Sequence, residues 1–302
     1  MGSSLLTNSS AMTALQTLRN VSSQLATTQN RISTGQRVAT ASDNAAYWSI
    51  ATSMRADNAA LSAVSDSLGL SAATVDTEYT ALTAVVGDKT GGLTKLQALL
   101  VEAKTAGIDR AKIQADITQI QDQMKNTADA ATFNGVNWLS ATSSTPATFD
   151  LVSSFSRVGG TPTIGKITLT IATYSLYSAS GSTGILESTG AVSVANMDIT
   201  SLTDAATDQT TLDTYIAQVT AAINSVASAA ADLGAVKNRV STNTEFVKTL
   251  MDSVDRGIGQ LVDADMNAES TRLQALQTQQ QLGVQALSIA NQNSQSILSL
   301  FR

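Results

Sequence analysis

Residues 212–261 read LDTYIAQVTAAINSVASAAADLGAVKNRVSTNTEFVKTLMDSVDRGIGQL and form the longest periodic stretch of the chain. Apolar side chains return there at alternating steps of three and four residues, and Lys237 and Thr244 interrupt the series as polar members. This spacing places one apolar stripe along the side of a helix. At a rise of about 1.5 Å per residue, the helix would be roughly 75–80 Å long. The stretch therefore predicts a long rod that buries its stripe against another helix.

A matching seam runs through the N-terminal half, from Leu61 to Val85, with Ser71 and Glu78 as polar lapses. The segment GDKTGG at residues 87–92 interrupts it, because glycine pairs favour turns over helix. Two shorter helical patterns follow, at residues 93–103 and 113–131. These patterns predict an antiparallel helical bundle built from both halves of the chain.

The middle of the chain has a different composition, since glycine, serine and threonine rise between residues 133 and 201. KITLTIATYSLYS, at residues 166–178, alternates apolar with polar side chains, which is the pattern of a half-buried strand. GAVSV, at residues 190–194, is the candidate partner strand. We therefore expect a fold that is mainly α, with a small central β portion.

Composition excludes several functional classes. The 302 residues include no cysteine and no histidine, so disulfides, a Ser-His-Asp triad and an HExxH zinc site are impossible. We expect no enzymatic activity and no cofactor. The net charge of -6 comes without a basic run, which argues against nucleic-acid binding. No run approaches the roughly 18 apolar residues of a membrane span, and the N-terminus does not resemble a secretory signal, so we expect no membrane insertion.

The two chain ends have an unusual chemistry. Residues 1–42 contain three arginines and no acid, and residues 270–302 contain no acid either. A helix on the surface of a soluble domain normally carries a charged face. We therefore expect both ends to be buried by further copies of the chain, and the arginines to lie near Asp263, Asp265 and Glu269. The predicted self-assembly residues are Leu15, Leu18, Leu25, Ile32, Leu273, Leu276, Leu287 and Leu298.

The apolar seam of the C-terminal helix is interrupted in the sequence. Its apolar series passes from Leu276 through Gln280 to Val284 in two steps of four. Such a step is a stutter, which unwinds a left-handed supercoil locally. The spacing thus predicts an irregular coiled coil near Val284.

Three segments resemble bacterial flagellins. They are TTQNRISTGQRVATASDNAAYWSIATSMRADN at residues 27–58, ATFNGVNWL at residues 131–139, and DADMNAESTRLQALQTQQQLGVQALSIANQNSQSILSLFR at residues 263–302. The tail and the NAAYW variant are most similar to flagellins of alphaproteobacteria such as rhizobia. The resemblance implies an inner terminal coiled-coil domain (D0, residues 1–42 with 262–302) and an outer helical bundle domain (D1, residues 43–140 with 202–261). The remaining residues, 141–201, would be a β-rich segment attached to D1 or a small surface-exposed elaboration.

The resemblance also implies a function. A flagellin is a structural subunit that polymerises into the extracellular flagellar filament for swimming. It would leave the cell unfolded through the flagellar type III apparatus and assemble at the tip, with an export chaperone, a filament cap and hook-junction proteins as partners. A hook–filament junction protein shares flagellin-like ends and is the alternative. A metalloprotease insert would need histidine, and a soluble coiled-coil adaptor would need charged flanking positions, which are scarce at the ends.

Host innate receptors are further partners that the resemblance suggests. The stretch LTKLQALLVEA at residues 93–103 corresponds to the receptor-contact helix of the family, with Lys95 and Leu99 matching in kind and Asp116 as the supporting acid. Gln97 and Ala98 replace an Arg-Glu pair, so we expect weak activation and evasion of the receptor.

Overall fold

The computed structural model describes residues 8–88, 91–142, 145–158, 161–178, 183–187 and 193–300, with the side chains of Val158 and of residues 293–300 outside the described part. Six helices dominate this part: α1 Ser9–Thr34, α2 Ala45–Val86, α3 Gly92–Glu102, α4 Arg110–Ala130, α5 Ala206–Val262 and α6 Met266–Leu300. Four strands are present: β1 Ser140–Ala141, β2 Thr148–Val158, β3 Thr161–Thr170 and β4 Tyr177–Ser178. The prediction of a mainly α fold with a small β portion is confirmed.

Residues 1–59 and 252–302 form one compact unit. Within it, α1 packs against α6 in antiparallel orientation. Asn8 Nδ2 donates to the Ala290 carbonyl at 3.0 Å, Arg31 meets Glu269, and Gln36 forms an antiparallel bridge with Asp263. The two chain ends are therefore antiparallel partners, as the sequence predicts. We call this pair of helices the terminal hairpin.

The seam of the terminal hairpin is more regular than expected. On α6 the less exposed positions follow alternating steps of four and three residues, at Glu269, Leu273, Leu276, Gln280, Gly283, Leu287 and Ala290. The predicted stutter is wrong, because Gly283 takes the seam position and Val284 faces outward. A Cβ at residue 283 would lie 3.0 Å from Leu18 Cδ1, so the missing side chain leaves room for that leucine. The apolar pattern misled because a glycine occupies an inward position.

The same unit contains the start of α2 and the end of α5. Ala51 packs with Ile258 and Val262 in a small core, and Met54 lies against its edge. Asn58 Nδ2 donates to Asp255 Oδ1 at 2.5 Å. Helix α5 continues to Val262 through both glycines near its end, residues 257 and 259, without a break.

Residues 60–251 form the second compact unit. Its α2 seam is the predicted one, and Ser71 and Glu78 are buried along with the apolar members. Lys237 Nζ on α5 lies 2.6 Å from Asp76 Oδ1 on α2, and Gly234 faces the ring of Tyr79. By its length and apolar composition alone, α5 also meets the criterion for a membrane-spanning helix, and 33% of its most apolar window is buried inside the protein. A core helix meets the same criterion.

The β portion differs from its prediction. Strand β3 ends at Thr170 and a short 3-10 helix, Ile171–Thr173, follows, so residues 166–178 are not one strand. The described partner of β3 is β2, in antiparallel register with Phe149 opposite Leu169. The structure describes the predicted partner, residues 190–194, only in part. Residues 190–192 lie outside the described residues, and Val194 begins a 3-10 helix. The strand β2 escaped detection because a register shift between Val152 and Ser154 interrupts its alternation.

Candidate assembly surfaces

The outer face of the terminal hairpin exposes apolar side chains on a helix that carries almost no charge. On α6, Leu282, Val284 and Ile289 are 57%, 54% and 60% exposed, and on α1 Met12 is 65% exposed. Arg272 is the last charged residue before Arg302. Leu282 and Ile289 lie on the same side of α6, seven residues apart, and Val284 lies on the other flank, two residues from Leu282. We call Met12, Leu15, Leu282, Val284 and Ile289 together the outer apolar face.

The predicted assembly residues divide between two sides of the hairpin. Leu18, Leu25, Ile32, Leu273, Leu276 and Leu287 are half-buried or buried on the positions of the seam, while Leu15 is exposed. The side chain of Leu298 lies outside the described residues. The sequence analysis missed Met12, Leu282, Val284 and Ile289. If Gly283 had been assigned to the seam, Leu282 and Val284 would have been predicted to be exposed.

Threonine hydroxyls of the hairpin are turned back onto their own helices. Each donates to the carbonyl four residues earlier, at 2.8–3.0 Å, at Thr13, Thr17, Thr27 and Thr34 of α1 and at Thr271 and Thr278 of α6. Because the hydroxyl hydrogen bonds within the helix, these side chains need no further acceptor when they are covered.

One ion pair holds the base of the hairpin. Arg31 Nη1 lies 3.0 Å from Glu269 Oε1, and the Glu269 side chain is nearly buried. Arg37 instead donates to the Leu261 carbonyl at 3.1 Å, and the amides of Arg37 and Val38 donate to the Val262 carbonyl. Cations favour helix C-termini because unpaired carbonyls carry partial negative charge there. Arg31 thus pairs with one of these acids as expected, whereas Arg37 lies beside Asp263 but binds the backbone of the neighbouring residues.

A second exposed surface lies where α2 begins. All residues from 39 to 50 are exposed, and side-chain-to-backbone hydrogen bonds connect residues within the segment. Asp43 Oδ2 accepts from the amides of Ala39 and Thr40, and Asn44 Oδ1 accepts from the amide of Tyr47 at 3.1 Å, which caps α2. The hydrogen bonds from Thr40 hold the pKa of Asp43 below its ordinary value.

This capped turn presents a compact set of large side chains. Tyr47, Trp48 and Ile50 are all exposed, and the Arg37 guanidinium lies 5.9 Å from the centre of the Tyr47 ring. No charged residue occurs between Asp43 and Arg55. We call Tyr47, Trp48 and Ile50 the aromatic edge. Aromatic anchors on a preformed scaffold are typical of protein–protein contacts.

The residues predicted to meet a host receptor lie on α3 and α4. Lys95 is half-buried, Leu99 is buried in the core, and Asp116 is exposed. Their role in receptor contact stays a prediction. Among the described residues, no cluster of three or more acidic side chains could hold a metal ion.

The sequence profile of the bacterial flagellin N-terminal helical region matches residues 5–144, and that of the C-terminal helical region matches residues 216–301. The chain belongs to the bacterial flagellin family. Flagellin A of Rhizobium meliloti is 41% identical, over 99% of this chain and all of the relative. Flagellin C of strain 1021 of the same organism is 44% identical and the flagellin of Brucella melitensis biotype 1 is 42% identical, each over 99% of both chains.

Membership confirms the resemblance seen at both ends of the sequence. As a flagellin, the chain is a structural subunit of the extracellular flagellar filament and serves motility. It self-assembles, and the junction-protein alternative is not favoured. The surfaces described above are therefore surfaces of a protein that polymerises.

Proposed function

We propose that the outer apolar face and the aromatic edge are the surfaces through which this flagellin contacts its neighbours in the filament. The observation that carries the proposal is the exposure of Leu282, Val284 and Ile289 on a helix without a charged face. Exposed large apolar side chains on a helix that lacks a charged face favour contact with another protein surface. The predicted residues of the seam hold the hairpin that presents them.

Burial of the outer apolar face would supply substantial free energy. Complete burial of a leucine, isoleucine or valine stabilises by about 1.5–3 kcal/mol, and Leu282, Val284 and Ile289 still expose more than half of their area. Each would therefore contribute on the order of 1 kcal/mol in the filament. The glutamines between them can be covered without the cost of burying charge. A filament multiplies this gain, because every subunit offers the same face.

The division into domains follows from the same proposal. Residues 1–42 with 262–302 would form the inner D0, and residues 43–140 with 202–261 would form D1. Residues 141–201 would be a β-rich segment attached to D1 or a small surface-exposed elaboration. The compact units of the structure divide the chain at residues 59 and 252. In the filament, contacts between copies would define the inner domain.

A charge on the outer apolar face tests the proposal. We expect Ile289→Lys to raise the critical concentration for polymerisation at least tenfold, because a covered lysine would be unpaired. Ile289→Leu keeps the size and the apolar character and is the matched control, with an expected change below threefold. Sedimentation of seeded filaments measures both, and far-UV circular dichroism checks the fold. Normal polymerisation of Ile289→Lys would refute the placement of this face.

Export partners complete the proposed function. An unfolded passage through the type III apparatus, with a chaperone, a cap and hook-junction proteins, is supported by family membership and by a chain without disulfides. Evasion of host receptors is supported by Gln97 and Ala98 on α3. Addition of purified monomer to a receptor reporter line tests evasion, and strong activation would contradict it.

A further inference from the structure

Glu78 is a buried acid in the seam of α2, among leucines and valines. Its side chain has no exposed area. Oε1 accepts a hydrogen bond from the Trp138 amide at 2.9 Å. Oε2 is also buried and, within the described residues, has no hydrogen-bond partner. A carboxylate placed there would lose its water without gaining a cation, which is costly.

The partner of Glu78 belongs to the segment where the helical bundle passes into the β portion. Trp138 is fully buried, and its ring lies 5.3 Å from that of Phe149 on β2 and 6.5 Å from that of Tyr174. Asn137 closes the preceding turn, since its Nδ2 donates to the Ala128 carbonyl at 2.7 Å. Glu78 therefore joins the bundle to the residue on which the β portion packs.

Among the side chains that the structure describes, no charged group compensates Glu78. On its own helix, Asp76 is paired with Lys237 of α5, and the same lysine lies 5.8 Å from the ring of Tyr79. On the side of the β portion, the pKa of Tyr174 is raised by burial and then by Asp232. None of these groups is a cause of the raised pKa of Glu78. Burial raises the pKa of Glu78 to about 8, and the Trp138 amide opposes that change only in part.

We propose that Glu78 is a proton-dependent latch between the helical bundle and the β portion. The neutral acid fits the dry seam and keeps its hydrogen bond to Trp138. The carboxylate requires water, and the seam can admit water only if the segment around Trp138 separates from α2. Nothing in the latch requires a second copy of the chain, so it acts in the soluble subunit as well as in the filament.

The direction of the pH dependence follows from the two states. The unfolded chain releases the proton near its ordinary pKa of 4.5, and the folded chain near 8. A group with a raised pKa in the folded state stabilises fully below the unfolded value and loses that effect as the pH rises through the folded value. The contribution of Glu78 to the free energy of unfolding should therefore fall between about pH 4.5 and 8 and stay constant above that range. Within the folded chain, Glu78 ionises and the latch opens near pH 8.

Fluorescence of Trp138 tests the latch. The chain has two tryptophans, so Trp48→Phe leaves Trp138 as the sole reporter. In this background we expect the emission of the soluble chain to shift to the red, and acrylamide quenching to increase, with a midpoint near pH 8. Glu78→Gln keeps an acceptor oxygen and cannot ionise, so the transition should be lost. Two results would overturn the proposal. One is a transition that persists unchanged in Glu78→Gln, and the other is the absence of any transition in the chain that retains Glu78.

A second measurement does not depend on the folding of a variant. The ¹³C shift of the Glu78 carboxyl in the soluble full-length chain reports its titration directly. A midpoint above pH 7 supports the latch, and a midpoint below pH 7 overturns it. Either outcome is independent of the proposed assembly surfaces, because that proposal is tested by polymerisation assays.

Discussion

Gly283 is the position where one added side chain should disturb the terminal hairpin most clearly. A Cβ there would lie 3.0 Å from Leu18 Cδ1, the end of a flexible side chain. Alanine removes a glycine from the helix, which stabilises by roughly 1 kcal/mol, and the leucine needs to move only slightly. We expect Gly283→Ala to change stability by less than about 1 kcal/mol, whereas Gly283→Leu overpacks the seam at a cost of about 1–3 kcal/mol.

The critical concentration for polymerisation onto filament seeds measures this cost. Since about 1.4 kcal/mol corresponds to a factor of ten, Gly283→Leu should raise it by roughly five- to a hundredfold, and Gly283→Ala by less than about fivefold. Leu18→Ala removes the displaced side chain, so Leu18→Ala with Gly283→Leu should polymerise more readily than Gly283→Leu alone. If the double variant is no better, Leu18 is not the neighbour and the regular seam is wrong.

Three further predictions concern the terminal unit. Arg31→Ala leaves the nearly buried Glu269 unpaired and should destabilise filaments by about 2 kcal/mol. Glu269→Gln should cost less, and scanning calorimetry of filaments measures both variants. Equal losses of stability would argue against the ion pair. Asn44→Ala removes the cap of α2 and should cost about 1 kcal/mol in urea unfolding of the soluble chain, while Asn44→Ser should cost much less. Assembly should shift the fluorescence emission of Trp48 to the blue and protect Trp48 from iodide quenching. The Trp138→Phe variant, in which Trp48 is the only tryptophan, measures this change. Continued iodide quenching in filaments would exclude the aromatic edge from the contacts.

The helices could be predicted because their seams are long and nearly uninterrupted. Fifty residues of three-four spacing predict α5, and the GDKTGG turn predicts the end of α2. Even the polar lapse at Glu78 was placed correctly in the seam, although the sequence gives no sign that its carboxyl lacks a second partner. The single described hydrogen bond of this carboxyl comes from Trp138, which is sixty residues away in the sequence and approaches Glu78 only in the folded chain.

The assembly surfaces were harder to predict, because hydropathy does not reveal which face of a helix is already covered. Val284 matches the apolar pattern better than Gly283 does, yet shape decides in favour of the glycine. Leu15 and Leu18 are equally apolar, and only the pairing of α1 with α6 separates an exposed leucine from a half-buried one. The partner of β3 was missed for a related reason, since a bulge conceals the alternation of β2.

The threonines of the terminal hairpin have a consequence for the physics of the filament. With the hydroxyl bound to its own helix, each of these side chains offers a neighbour little more than a methyl group. A surface of methyl groups and amides attracts without Coulomb forces, and dissolved ions screen only Coulomb forces. Cohesion of this region should thus be nearly the same in dilute and in saline surroundings, an asset for an appendage that works outside the cell.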